Sequence, residues 1–258
     1  PRMLRAVRFE QRFKFRIEAR TAELLSQALS MISRISGDRI RHELDHILDE
    51  DERVAMLARL DELGLLSAIH PALRWSDQID RRLRTLEKSP LPLGEGLPVD
   101  MATQLSKRKL AYHLWLIDLP LELLGGVIQR LKIPVALGKQ IEAGCRLWAD
   151  LPGLLAASPS QVVSRLDGIA ALPIYANCLA ADDGKVCTVL QAYLTRWRKI
   201  SPTVNGEDLK KRGLTPGPAY RFILVALKEA WLDGKVNSVE EERILFEQLL
   251  AEENRSRK

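Results

Sequence analysis

The sequence predicts an all-α fold, a multi-helix arrangement of packed helical pairs, for this chain of 258 residues. Apolar residues recur at spacings of three and four along most of the chain, which is the period of an amphipathic helix. Runs of alternating β-branched residues, which are typical of half-buried strands, are absent. Prolines and glycines divide the apolar pattern into short segments. Together these observations predict many short helices and no sheet.

The first part of the chain shows an arginine-rich helical segment followed by several segments of amphipathic pattern. Ser36 begins a new helix, whose apolar positions recur at helical spacing. Pro71 ends an apolar run, because its ring clashes with a continuing helix. We predict helices over the N-terminal residues through Arg12 and over residues 21–35, 36–48, 54–70 and 75–86.

Residues 89–101 form the clearest predicted loop or linker. Pro90, Pro92 and Pro98 lie in this stretch together with two glycines, and both residue types interrupt helices. We therefore predict one domain over residues 1–88 and a second, helical domain over residues 102–258.

The second half contains further short helices that proline and glycine separate. Ser158-Pro-Ser-Gln161 has the signature of a helix N-terminus, with a serine cap, a proline at the first helical position and a glutamine three residues after the cap. Pro216 fits the same first-position rule, and Asn237 is a predicted cap. The other predicted helices are residues 110–119, 121–131, 135–148 and 220–232.

The composition is that of a soluble globular protein. Apolar residues make up 46% of the chain and charged residues 28%, which excludes a disordered chain. No apolar run approaches the roughly 18 residues that cross a bilayer, and the N-terminal residues do not form a signal peptide. Cys145, Cys178 and Cys187 lack Cys-x-x-Cys spacing, so we expect buried thiols in a reducing compartment. These features predict a cytoplasmic protein without a membrane partner.

Positive charge is concentrated in two segments. The whole chain has a net charge of +5, and residues 1–20 and 196–221 each carry +5 on their own. The remaining residues are therefore mildly acidic. Two basic segments beside an acidic middle favour a nucleic-acid partner, although ordinary helices also cluster charge.

Four arginines recur at helical spacing near the N-terminus: Arg2, Arg5, Arg8 and Arg12. This spacing places their guanidinium groups along one helical face, about 5 Å apart for each turn. Each planar guanidinium can bind a phosphate or a base edge through two hydrogen bonds, so the row suits a polyanion. A solvated basic surface is the alternative that spacing alone leaves open.

His42-Glu43-Leu-Asp45-His46 matches the His-Glu-x-x-His pattern of zinc proteases. Charged residues surround this motif, whereas zinc-protease helices are apolar there, and no third ligand follows in a recognisable signature. Glu43 also lies four residues after Arg39, where a helical ion pair is expected. We therefore predict no metal site, and zinc hydrolysis is the weakest alternative.

Several motifs along the chain keep the order known from one family. Pro1–Phe9 matches the end of a motif with the pattern Glu-Asp-x-x-Arg, followed by Leu-Arg and Arg-Phe. Arg39–Glu43 matches Arg-x-x-x-Glu, and Leu63–Leu66 matches Leu-Gly-Leu-Leu. The motifs that begin at Asn205 and Pro216 resemble the family's tail. In these motifs the chain resembles class II tRNA nucleotidyltransferases, which comprise the CCA-adding enzymes and bacterial poly(A) polymerases.

The resemblance implies that the chain is the helical neck, body and tail of such an enzyme without its catalytic head. The head of the family holds Mg²⁺ on an Asp-x-Asp pair, and ATP or CTP extends the 3′ end of tRNA or another RNA. Asp49-Glu-Asp51 lies between two predicted helices, and we expect an acidic loop there rather than that pair. We therefore expect no catalytic residue, no metal ligand and no bound cofactor in this chain, which alone would be inactive. The motifs leave open whether the parent enzyme adds CCA or poly(A).

The resemblance also implies roles for individual residues. Arg2 would contact the incoming base, and Arg5 would bind the same nucleotide. Arg39 and Glu43 would form an ion pair that braces the neck helix behind the nucleotide pocket, with an ordinary surface pair as the alternative. Further basic residues would bind RNA: Arg8, Arg12, Arg196, Arg198, Lys210, Lys211 and Arg212.

Two alternatives remain at this point. Aromatic residues interleaved with Arg196 and Arg198 suit base stacking, but helical spacing favours a core position for Trp197. For the chain as a whole, a non-catalytic helical RNA-binding or protein-interaction module is the main alternative function.

Overall fold

A computed structural model describes residues 1–88 and 106–256, and all regular secondary structure in these residues is helical. The predicted all-α class is therefore confirmed. The loop predicted over residues 89–101 lies outside the described residues. Within the described part of the chain, no helix combines the length and the apolar character that crossing a membrane requires.

Short connections join most of the helices, and residues 89–105, before the helix that begins at Lys107, lie outside the described part of the chain. In chain order the helices are α1 (Arg2–Arg12), α2 (Ala19–Gln27), a 3₁₀ helix (Leu29–Arg34), α3 (Gly37–Asp49), α4 (Arg53–Glu62), α5 (Leu65–Ile69), α6 (Asp77–Lys88), α7 (Lys107–Leu116), α8 (Leu121–Leu131), α9 (Val135–Leu155), α10 (Pro159–Leu166), α11 (Ala171–Ala180), α12 (Gly184–Thr195), a second 3₁₀ helix (Trp197–Lys199), α13 (Gly206–Lys211), α14 (Pro218–Leu232) and α15 (Val239–Ser256).

These helices group into two compact units. The first combines residues 1–151 with residues 169–187, and the second combines residues 152–168 with the chain from residue 188 onward. In the first unit α3 is central, since it contacts α1, α4, α7 and α8. Its predicted apolar face is fully buried: Ile40, Leu44, Ile47 and Leu48.

The second unit has its own apolar core. Residues from α13, α14 and α15 form this core: Leu209, Ile223, Leu227, Phe246 and Leu250. Beside the core, the buried Glu242 accepts hydrogen bonds from the backbone N–H of Val204 at 2.8 Å and from the indole of Trp231 at 2.9 Å. It also accepts from the hydroxyl of Thr203 at 2.8 Å. One carboxylate therefore ties the segment before α13 to α14 and α15.

Several predicted helix limits differ from the structure. The segment 21–35 is interrupted at Ala28 and continues as a 3₁₀ helix, and the segment 54–70 is interrupted at Gly64, whose φ of 70° favours glycine. The predicted starts at Pro216 and Asn237 are wrong. The helices begin instead at Pro218 and after a Ser238 cap, whose hydroxyl accepts from the N–H of Glu241 at 3.2 Å.

The helix start at Ser158 is confirmed. The hydroxyl of Ser158 accepts from the N–H of Gln161 at 3.4 Å, and the Gln161 side chain accepts from the N–H of Ser158 at 3.1 Å. These reciprocal bonds form a capping box, which satisfies two N–H groups that the helix itself leaves free.

The cysteines differ from the prediction. Cys178 and Cys187 form a disulfide, so the expectation of separate thiols is wrong for this pair. Cys145 is a buried thiol as predicted, and burial raises its pKa to about 12.

Arg130 in α8 holds the turn between the first 3₁₀ helix and α3. Its guanidinium donates to the carbonyl oxygens of Ile32 at 2.8 Å, of Ile35 at 3.0 Å and of Ile69 at 3.2 Å. The carbonyl oxygen of Ile32 also accepts from the N–H of Ile35 at 3.0 Å, whereas Ile35 and Ile69 lie at helix ends, where backbone carbonyls lack helical donors. Arg130 therefore stabilises the 3₁₀ geometry that interrupts the predicted continuous helix.

The same region brings α3 very close to α8. A Cβ atom on residue 37 would lie 2.2 Å from the carbonyl oxygen of Arg130, so only glycine fits at the first turn of α3. Because the obstructing atom belongs to the backbone of a helix, it cannot move aside without displacing that helix.

We expect Gly37→Ala to lower the free energy of unfolding by about 1 to 3 kcal/mol, as for other overpacked sites. Gly125 in α8 is the matched control, because nothing lies within 4 Å of a Cβ placed there. Gly125→Ala should stabilise the protein by up to about 1 kcal/mol through helix propensity. Urea unfolding followed by circular dichroism measures both variants. Equal effects of the two substitutions would contradict the close contact at residue 37.

Candidate functional site

The site is built on α1, which lies on α3 and α4. Leu4 and Val7 are fully buried in this contact, so the basic residues between them stay at its edge. Arg2 and Arg5 are exposed, whereas the side chain of Arg8 is only 14% exposed. The predicted amphipathic helix therefore exists, but its arginines are not equally accessible.

Most arginines of α1 have carboxylate partners. Arg5 donates to Glu43 in the middle of α3. At the other end of α3, Glu50 accepts from Arg12 at 3.2 Å and lies 3.9 Å from the Nε atom of Arg8. The spacing predicts a row of arginines that suits a polyanion. In the structure, most of these arginines attach α1 to α3 instead.

Glu43 is the buried member of this set, with a side chain only 3% exposed. Burial alone would raise the pKa of Glu43, but the hydrogen bond from Arg5 and the positive charges of Arg5, Arg8 and His46 outweigh it and lower the pKa below its usual value. The carboxylate is therefore ionised at neutral pH. Its Oε2 atom is buried and accepts no hydrogen bond from the described residues.

A cleft of about 910 Å³ opens beside this ion pair. Residues of α1, of the first 3₁₀ helix and of α3 form its walls. The charged side chains in these walls include five arginines and two carboxylates: Arg2, Arg5, Arg34, Arg39, Arg41, Asp38 and Glu43. The cleft therefore has an excess of positive charge.

Three of these arginines have no partner within the described residues. Arg2, Arg34 and Arg39 are exposed and form no side-chain hydrogen bond or ion pair there. Arg41, by contrast, lies 3.4 Å from Asp38 and 3.3 Å from Asp45. Unpaired guanidinium groups that face one cleft create a positive potential, which a phosphate-bearing ligand would neutralise.

The brace at Glu43 is formed differently from the predicted one. Burial of Glu43 under α1 directs its carboxylate to Arg5, and Arg39 remains exposed at the cleft wall. The spacing of four residues allows an Arg39–Glu43 pair, but the contact with α1 supplies the partner instead. Glu43 therefore orients an arginine of the cleft directly.

His42 and His46 lie on the exposed side of α3. Their Nε2 atoms are 3.2 Å apart, and their rings meet edge to face with centroids 4.5 Å apart. In the described part of the chain, no group of three His, Cys, Asp or Glu side chains could hold a metal ion. The two histidines therefore remain a pair without a third ligand among those residues.

Two of the other predicted RNA-binding residues lie at the second 3₁₀ helix, one as its N-cap and one inside it. Arg196 and Arg198 are exposed, and the guanidinium of Arg196 lies 5.8 Å from the ring centroid of Trp197. Trp197 is only partly buried, whereas Tyr193 is buried and donates to the carbonyl oxygen of Leu166 at 3.2 Å. Tyr193 is thus a core residue, and Trp197 lies at the surface.

The remaining predicted RNA-binding residues follow one another at the end of α13. Lys210 is exposed, Lys211 lies 3.4 Å from Asp208, and Arg212 pairs with Glu247. All three belong to the second unit, which is held by Glu242 as described above. The structure therefore distributes the predicted RNA-binding residues over both units.

Sequence patterns did not indicate some residues of the cleft, namely Arg34, Arg41, Met31 and Ile35. Arg34 reaches the cleft because the chain changes from α2 to a 3₁₀ helix after Ala28. The bonds from Arg130 stabilise that change, and no spacing within residues 21–35 reveals them. The predicted helix start at Ser36 was the available sequence signal for this wall of the cleft, because it indicates that the chain turns just before α3.

Comparison with known proteins extends these observations. The model of the family described as "Probable RNA and SrmB-binding site of polymerase A" matches residues 14–76. An A-adding tRNA nucleotidyltransferase from Geobacter sulfurreducens is 29% identical over 266 residues, which cover 93% of this chain and 28% of the relative. The chain therefore spans less than a third of that relative.

Solved structures are similar over nearly the whole chain. The Thermotoga maritima CCA-adding enzyme complexed with tRNA has a TM-score of 0.70 and 27% identity, covering 97% of this chain and 60% of that one. A CCA-adding enzyme with ATP has a TM-score of 0.71 and 27% identity, with the same coverage.

We expect Glu43→Gln to lower the free energy of unfolding by about 1 to 2 kcal/mol at neutral pH, because Arg5 loses a charged partner. Arg5 is half exposed, so water limits this cost. The folded pKa of Glu43 is lowered, so its contribution is complete above the unfolded pKa and is lost as pH falls through the folded pKa. The difference between wild type and variant should therefore vanish in acid.

Unfolding at several pH values measures this effect. Glu23→Gln is the control, because Glu23 pairs with Arg20 at 2.7 Å on the exposed surface. That variant should change stability by less than about 0.5 kcal/mol. A Glu43→Gln cost that does not depend on pH would contradict the role of the charge.

Proposed function

We propose that this chain, a member of the tRNA nucleotidyltransferase/poly(A) polymerase-like family, forms the nucleotide- and RNA-binding part of an enzyme that extends RNA 3′ ends. The observation that carries the proposal is the cleft beside α1 and α3, where Arg2, Arg34 and Arg39 have no partner among the described residues. The triphosphate of ATP or CTP supplies the negative charge that these groups lack.

Within the cleft, Arg2 and Arg5 bind the nucleotide. Arg2 is exposed and has no partner among the described residues, so its guanidinium donates to the edge of the base through its fixed pair of N–H groups. Arg5 gives one Nη group to Glu43 and keeps its other N–H groups for the ligand. Glu43 thereby positions Arg5, while Arg39 adds positive charge at the opposite wall.

Nucleotidyl transfer is assigned to a catalytic head outside this chain. In such enzymes Mg²⁺ stabilises the charge that develops on the phosphates. In the described residues no set of three His, Cys, Asp or Glu side chains fits a metal ion, so no step is assigned to a metal here. On this proposal the isolated chain binds nucleotide and RNA in the cytoplasm without extending the RNA.

RNA binds to basic residues of both units. Those in the first unit are Arg8 and Arg12, and those in the second are Arg196, Arg198, Lys210, Lys211 and Arg212. The similarity to an enzyme solved with tRNA supports tRNA as the partner. Contacts with phosphates dominate such binding, so affinity falls steeply as salt rises.

Titration of ATP, CTP and tRNA into the wild-type chain over a salt series tests the proposal. We expect Arg2→Ala and Arg39→Ala each to weaken nucleotide binding about tenfold, as expected for one charge-assisted hydrogen bond. Lys210→Ala, at a proposed RNA contact, should instead reduce the salt dependence of tRNA binding by about one ion.

Arg146→Ala is the matched control, because Arg146 is 65% exposed, pairs with Glu142 and lies outside the cleft. This variant should bind like wild type. Absence of nucleotide and tRNA binding at low salt would contradict the proposal and favour a scaffold that binds proteins.

A further inference from the structure

Three phenylalanines are presented to solvent at the end of α1. Phe9, Phe13 and Phe15 are 39%, 52% and 68% exposed, respectively. The ring centroids of Phe9 and Phe13 are 5.8 Å apart, with 39° between the ring planes. Those of Phe13 and Phe15 are 5.7 Å apart, with 32° between the planes. These residues, the aromatic row, form a continuous exposed surface of rings rather than isolated side chains.

The backbone holds the aromatic row in place. Lys14 has a φ of 55°, a left-handed conformation that residues with side chains rarely adopt. The N–H of Phe15 donates to the carbonyl oxygen of Glu10 at 2.9 Å, and the N–H of Ile17 donates to the Glu10 carboxylate at 2.9 Å. Glu10 is itself buried and accepts from Arg59 at 3.0 Å. The rings are therefore exposed although the turn that carries them is anchored.

Cations alternate with the rings along the chain. Residues 12–16 read Arg-Phe-Lys-Phe-Arg, and no acidic residue interrupts them. The guanidinium of Arg12 lies 5.6 Å from the ring centroid of Phe13. Arg16 forms no ion pair within the described residues. Arg12 and Lys14 are more than half exposed and pair with Glu50 and Glu52, and such solvent-exposed pairs are weak enough for a ligand to compete with them. Phosphates would also neutralise Arg16, whereas an apolar partner would remove its charge from water without compensation.

Phe15 also borders a second cavity of about 510 Å³, separate from the arginine cleft. Lys14, Arg16 and Arg59 line it together with Glu10 and Glu62. It offers an aromatic wall with cations at its edge. No residue of the aromatic row lines the arginine cleft.

We infer that the aromatic row stacks on unpaired bases of single-stranded RNA while Arg12, Lys14 and Arg16 follow its phosphates. Every base has a flat face that stacks on a phenylalanine ring, so this surface binds RNA without reading its sequence. The inference rests on the proposed RNA-binding function and adds a second contact region to the cleft.

A comparison of two short oligoribonucleotides tests this inference: oligo(A) and an abasic strand with the same number of phosphates. Wild type should bind oligo(A) at least about fivefold more tightly, because stacking adds to the phosphate contacts. Phe13→Leu/Phe15→Leu keeps apolar side chains but removes the rings. This variant should lose the preference and keep its affinity for the abasic strand.

Val135→Ala is the matched control, since Val135 is also in the first unit and is 74% exposed. It should keep the preference for oligo(A). Equal binding of both strands by wild type, or an unchanged preference in the double variant, would overturn the stacking role while leaving RNA binding intact. No binding of either strand would overturn the RNA-binding function as well.

Sedimentation velocity tests whether the aromatic row binds another protein molecule instead of RNA. If the aromatic row packs against a second copy of the chain, wild type should dimerise and the double variant should remain monomeric. That result without a preference for oligo(A) would replace the inference with a self-association surface. A monomer that prefers oligo(A) would support it.

Discussion

The first unit depends on one buried carboxylate, that of Glu43, at the contact between α1 and α3. An ionised group inside a protein is costly unless a partner compensates it, so α1 must bring an arginine to this position. Arg5 does so, and two more pairs keep the same separation of 38 residues. These pairs are Arg12 with Glu50 and Lys14 with Glu52. A single placement of α1 on α3 therefore gives each of these three carboxylates a cationic partner.

This placement divides the basic residues into two groups with different physical roles. Arginines that face carboxylates hold helices together, and their net charge toward a ligand is reduced. Arg2, Arg34 and Arg39 face the cleft without a carboxylate partner among the described residues, so their charge remains available. The number of arginines in the N-terminal segment therefore matters less for ligand binding than which of them are paired.

Local sequence patterns were sufficient for features that depend on neighbours in the chain. The all-α class, the buried face of α3 and the capping box at Ser158 all follow from periodicity and from side-chain chemistry within a few residues. Contacts between distant residues were not predictable in this way. Arg130 bonds to a carbonyl 98 residues away, and Glu43 pairs with a residue 38 positions away instead of its helical neighbour Arg39.

The consequences of those distant contacts are concentrated at the candidate site. Arg34 lines the cleft because tertiary bonds stabilise a 3₁₀ helix where amphipathic spacing predicts a continuous α-helix. Likewise, the apolar residues at 9, 13 and 15 suit a core by composition, but all three are exposed in the structure. Candidate nucleotide-binding residues can be nominated from sequence, whereas their availability is a property of the fold.

Photo-crosslinking with azido-ATP, followed by peptide mapping, tests the central claim most directly, because it locates the ligand without any substitution. The account predicts adducts confined to peptides that carry the cleft walls, around residues 1–5 and 31–43, and their loss when unlabelled ATP competes. Adducts that map only to the second unit, or that persist in excess ATP, would contradict the assignment of the nucleotide to this cleft.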